Sequence, residues 1–123
     1  MVDESGPEPV QIEHLLGIVR RLRDPDQGCP WDVGQTFQSI VSHTLEEAYE
    51  LADAIESNDF DQIREEAGDV LFQVLFYAQM ADEKQHFNFA DVVEGLSEKL
   101  IRRHPHVFSP NGNAQQEVPI AVS

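Results

Sequence analysis

An all-α fold, a four-helix-type bundle assembled into an oligomer, is what this sequence predicts. Three observations carry that expectation. Apolar residues recur at spacings of three and four in four separate segments. No stretch alternates apolar and polar residues with period two, so no sheet is expected. One segment, VLFQVLFYAQMA, is apolar on nearly every side, more than three partner helices of this size can cover; a subunit interface is the natural cover.

The elements follow in order. Residues 1–9 (MVDESGPEP) are polar and acidic and carry Pro and Gly, which predicts a disordered lead-in. The first helix runs from about Val10 to Arg23, with Ile12, Leu15, Leu16, Val19 and Leu22 on one face. Asp24-Pro25 stops it, because the residue before proline is pushed out of the helical region. DPDQGCPWD then reads as a loop. The second helix spans about Thr36 to Glu56, with a possible break near Ser42–Thr44, since Thr44-x-x-Glu47 is an internal start signal. The third runs from Asp59 to Gln85 and opens on a capping-box pattern, Asp59-x-x-Gln62. The fourth covers Phe89 to Arg103, with Asn88 as its cap, and ends before His104-Pro105. One helical domain over 10–108 results, followed by a flexible tail or linker over 109–123.

The net charge of −15 argues against a nucleic-acid backbone as partner, because such proteins need a basic footprint. It leaves nucleotides open, since divalent cations can neutralise both an acidic site and a triphosphate. No apolar run is long enough for a bilayer, and the single Cys29 permits no internal disulfide, so a cytoplasmic protein is expected. Cys29 has no nearby histidine and reads as structural.

The acids are clustered. On a helical wheel Glu46, Glu50 and Asp53 fall within about 60° of one another, and Glu47 lies about 60° beyond Glu50. Leu45, Ala48, Leu51, Ala52 and Ile55 take the other side. A solvated acidic face explains such a helix, but like charges at these spacings repel, and no Lys or Arg occurs from Gln35 to Gln62 to relieve them. In the third helix, Glu66 and Asp69 share an edge that continues into Phe72, Gln73, Phe76 and Met80. An acid heading an apolar stripe needs a partner: Arg64, a basic residue of the fourth helix, or a metal. A hairpin turning at Ser57–Asp59 would bring Glu50 and Glu66 to the same height, where oxygen ligands suit Mg²⁺ or Mn²⁺ rather than zinc.

These residues carry a resemblance. Glu46-Glu47-Ala48-Tyr49-Glu50 followed by Glu66-Ala67-Gly68-Asp69 is similar to the EExxE…ExxD pattern of the MazG-type nucleoside triphosphate pyrophosphohydrolases. Gly28-Cys29-Pro30-Trp31-Asp32 and Arg102-Arg103-His104-Pro105-His106-Val107-Phe108 resemble the same family, and the likeness covers about residues 12–108. The resemblance implies Mg²⁺-dependent hydrolysis of NTPs or dNTPs to monophosphate and pyrophosphate, nucleotide-pool house-cleaning, and a homodimer or homotetramer. It implies Glu46, Glu47, Glu50, Glu66 and Asp69 as the metal site, with Glu47 or Glu50 as general base.

Lys99, Arg102 and Arg103 close the fourth helix, where they either bind phosphates or complement the helix dipole. Trp31 either stacks on a nucleobase or packs on its own domain, and Asp32 caps a helix or holds a basic group. The family's namesake has two such domains in tandem, and this chain resembles the first. A non-catalytic, metal-binding and dimerising support domain is therefore the alternative reading.

Overall fold

The computed structural model describes residues 7–108, and every regular element among them is helical. Helix α1 (Pro7–Leu22) begins three residues earlier than expected, so residues 7–9 are helix and not lead-in. Prolines at positions 7 and 9 fit there, because N–H groups of a first turn have no intrahelical acceptor. Residues 1–6 and the expected tail at 109–123 lie outside the described residues.

The loop after α1 is more ordered than its turn formers imply. The Asp24 carboxylate accepts from the backbone N–H groups of Asp26 and Gln27 at 2.8 and 3.0 Å. The Gly28 and Cys29 N–H groups donate to the carbonyls of Asp24 and Leu22. A Cβ at Gly28 would stand 2.4 Å from the Leu22 carbonyl oxygen, so only glycine lets the chain close on the end of α1. Pro30 then starts a one-turn helix, α2 (Pro30–Val33), within the expected loop.

A 3-10 turn (Gln38–Ile40) leads into α3 (Val41–Glu56), so the break in the expected second helix falls at Ile40, not at Ser42–Thr44. Thr44 is no cap. Its hydroxyl lies against the Ile40 carbonyl and turns sideways to α4 (Phe60–Glu83). Asn58, at φ 59°, ends α3: its N–H donates to the Ile55 carbonyl and that of Asp59 to Ala54. This is a Schellman closure in which asparagine tolerates the left-handed position. Asp59 then caps α4 by accepting from the Gln62 N–H, while the Gln62 side chain, expected to reach back, bonds Glu66 instead. Gln85, at φ 63°, closes α4 in the same manner, two residues before the expected end. Asn88 and Asp91 form a reciprocal capping box at the head of α5 (Phe89–Arg103), and Pro105 opens a further single turn, α6 (Pro105–Phe108).

The principal packing is the antiparallel α3–α4 hairpin; α1 and α5 flank α4. Val19, Ile40, Leu75, Phe76 and Met80 form the core, with Leu15, Leu16, Phe37, Phe72, Tyr77 and Phe89 against it. Much of the remaining large apolar surface is uncovered. Leu45, Ala48, Ala52 and Ile55, the expected inner side of α3, face outward, and Tyr49 is 74% exposed. Leu71 and Val74 of α4 and Val93, Leu96 and Leu100 of α5 are exposed too, and α5 contributes no buried residue. No helix among the described residues is long and apolar enough to cross a membrane.

Candidate metal centre

The face of α3 turned to α4 is set by Ile40, Thr44, Glu47, Leu51 and Ala54, spaced by three and four and all at least partly buried. Glu47 is therefore in the seam of the hairpin. Across from it stand Glu66, only 8% exposed, and Asp69. One oxygen from each of these three carboxylates lies within 4.8 Å of the others. Gln62 Nε2 donates to Glu66 Oε2 at 2.7 Å. Glu66 Oε1 and Glu47 Oε1 are buried and have no hydrogen-bond partner.

No protein cation relieves this cluster among the described residues. Arg64, a candidate partner for Asp69, sits 3.6 Å from Asp61 instead. Desolvation, followed by the charges of Asp69, Glu50, Glu66 and Glu46, raises the Glu47 carboxyl above its ordinary value. Glu50 is raised first by the charge of Glu66, then by desolvation, by Glu46, by a carboxyl–carboxyl hydrogen bond with Glu66 and by Asp69. A carboxylate oxygen that loses water and gains no partner is unfavourable, and here two of them converge. The donor set is all oxygen and anionic, which is what a hard divalent cation takes.

The five expected ligands are not equivalent. Glu47, Glu66 and Asp69 converge, and Glu50 adjoins Glu66 on the rim of an open depression of about 350 Å³ that Asp53, Ser57, Asp59 and Gln62 also line. Glu46 stands apart, exposed, 3.9 Å from His43. The wheel put Glu46 on the coherent face and Glu47 at its margin; packing against α4 exchanges them. Trp31 is 56% exposed on α2, its ring edge-on to His43 at 5.6 Å between centroids, one helical turn from Glu47. The buried Asp32 meets a basic group, Arg23, through its carbonyl oxygen. Lys99, Arg102 and Arg103 are exposed at the end of α5 and make no ion pair among the described residues.

A polar network beneath the acids was not anticipated. The Thr44 hydroxyl lies 2.8 Å from Gln73 Oε1 and 2.7 Å from the Tyr77 hydroxyl, and Phe37 stacks on Tyr77. Gln73 is 8% exposed and one turn beyond Asp69. A glutamine inside an apolar stripe was the available signal, because a buried amide requires partners.

A family model, the MazG nucleotide pyrophosphohydrolase domain, matches residues 35–108. The chain is 60% identical over 99 residues to a nucleoside triphosphate pyrophosphohydrolase of Escherichia coli, a match covering 80% of this chain and 38% of that protein. It is 50% identical over 99 residues to a nucleoside triphosphate pyrophosphohydrolase/pyrophosphatase MazG of Thermotoga maritima, again 80% of this chain and 38% of that one. A nucleoside triphosphate pyrophosphohydrolase of Mycobacterium tuberculosis is 39% identical over 107 residues, 85% of this chain and 33% of its own length. The chain thus spans well under half the length of these curated relatives.

Proposed function

The chain belongs to the MazG nucleotide pyrophosphohydrolase family, and we propose that it hydrolyses nucleoside triphosphates to the monophosphate and pyrophosphate as a cytoplasmic house-cleaning enzyme. The observation that carries the reading is the pair of buried, unpartnered oxygens on Glu47 and Glu66 beside Asp69. Glu47, Glu66 and Asp69 hold Mg²⁺, or Mn²⁺ in its place, with Glu50 and Glu46 completing the site from the exposed side. When bound, the ion neutralises phosphate charge and lowers the pKa of an attacking water. Glu50 lines the open depression beside Glu66, where its carboxylate is placed to take the proton of that water. Glu47 is held in the seam with Glu66 and Asp69 and acts first as a ligand. Trp31 stacks on the base, and Lys99, Arg102 and Arg103 bind phosphates.

The test is direct. Purified chain with each common NTP and dNTP plus Mg²⁺ is expected to release pyrophosphate and monophosphate in equal amounts. No product from any of them would leave the alternative, a metal-binding and dimerising support domain of a longer tandem protein.

A second copy covers the outward apolar surface of the hairpin. Leu45, Tyr49, Leu71 and Val74 are large, exposed and on the two helices that build the site. Tyr49→Asp is expected to shift the chain from dimer or tetramer to monomer in light scattering, with activity falling alongside. A wild-type chain that is already monomeric at micromolar concentration would overturn this assembly.

A further inference from the structure

Of the eight Lys and Arg residues in this acidic chain, Arg23 alone is drawn in from solvent. It does not serve the carboxylate cluster. Its Nε and Nη2 donate to the two oxygens of Glu83 at 3.0 and 2.6 Å, a bidentate pair at the end of α4. The two hydrogens of its Nη1 are shared among three carbonyls, Asp32 at 2.8, Val33 at 3.1 and Gln35 at 3.0 Å. The guanidinium lies over the ring of the core residue Phe76, 5.5 Å from its centroid. One side chain thus ties the end of α1, the end of α4 and the chain leaving α2.

The tied segment carries Trp31. The Gln35 side chain donates to the Trp31 carbonyl at 2.9 Å, and the indole stands edge-on to His43 of α3. A one-turn helix has almost no stability of its own, so its orientation comes from what grips it. Arg23 grips three carbonyls at its C-terminal side. Lysine would keep the charge but has neither the planar fork nor the reach to hold a carboxylate and three carbonyls at once.

We propose that the Arg23–Glu83 pair is a positioning device: it fixes α2 so that Trp31 is presented beside the carboxylate site, and so sets nucleotide affinity without touching the nucleotide. The proposal rests on the reading of Trp31 as a base-stacking residue.

Trp31 is the sole tryptophan of the chain, so its fluorescence reports on this segment alone. Arg23→Lys and Glu83→Gln are expected to lower the anisotropy of Trp31 in nucleotide-free protein while circular dichroism shows the helices intact. Should Arg23→Lys fail to fold, Glu83→Gln carries the test, because it keeps the shape of the partner and removes only its charge. Both are expected to raise KM for the nucleotide about tenfold, the order of one lost base–aromatic stack, with kcat within about twofold. In a Trp31→Ala background neither should raise KM further. Unchanged anisotropy in the folded variants would overturn the proposal, as would a KM rise of the same size in the Trp31→Ala background. Anisotropy is read without nucleotide, so a chain that releases no pyrophosphate would end the enzyme reading and still leave the clamp decided.

Discussion

Glu66→Gln is expected to abolish measurable pyrophosphate release while leaving the fold intact. Glu66 is the most buried of the five acids, and its Oε1 has no partner within the protein. Glutamine is nearly isosteric, and its side-chain carbonyl can still accept the hydrogen bond that Gln62 now gives to Oε2. What is lost is the charge. A metal-held phosphate gains several kcal/mol of transition-state stabilisation, and each 1.4 kcal/mol is a factor of ten, so a loss of about a hundredfold or more follows. Glu46→Gln is the informative contrast. Glu46 is exposed and outside the converging oxygens, so its loss should cost only a few-fold. Steady-state pyrophosphate release measures both. Equal losses at Glu46 and Glu66 would mean that the ion sits further out, toward the rim, than the seam indicates.

The metal-free chain is expected to melt higher near pH 5 than at pH 7, and Mg²⁺ to reverse that order. Glu47 and Glu50 have folded carboxyls raised above the ordinary glutamate value of about 4.3. A raised group contributes stability fully below its unfolded value and loses it as pH climbs through its folded one. Approaching pH 5 from above, the repulsion in the hairpin is partly relieved. Glu83 has the opposite sign, lowered first by its hydrogen bond from Arg23. Its contribution is present above the ordinary value and lost as pH falls through the folded one, so the gain ends below about pH 4. At neutral pH, Mg²⁺ at a hundred times its Kd adds about 2.7 kcal/mol, on the order of 10 °C for a domain of this size. Near pH 5 the increment shrinks, because protonated carboxyls give up the ion. Melting curves in chelator and in Mg²⁺ at the two pH values decide it. A metal-free melting temperature that falls from pH 7 to pH 5 would remove the argument from buried repulsion.

Much of this was legible in the residues themselves. The four long helices follow from spacing, and their ends from local chemistry: Asp24-Pro25 beyond α1, Asp59 ahead of α4, Asn88 ahead of α5. The turn at Ser57–Asp59 placed Glu50 level with Glu66, and the two carboxyls do adjoin. These features depend on contacts within a few residues, or on one hairpin whose length is countable, so sequence alone determined them.

Tertiary packing decided the rest. A wheel gives angles around one helix but not which angle meets the neighbour. That choice belonged to Thr44, whose hydroxyl reaches Gln73 and Tyr77, and to Ala54, small enough to be buried against α4. With those two in the seam, Glu47 must lie between them and Glu46 must not. Arg23 was equally unreadable as a clamp, since the four residues it hydrogen-bonds lie 9 to 60 residues away in the chain. The all-α fold and an acidic pair of helices are thus properties of the sequence. Which acids lose their water is a property of how α3 rolls against α4.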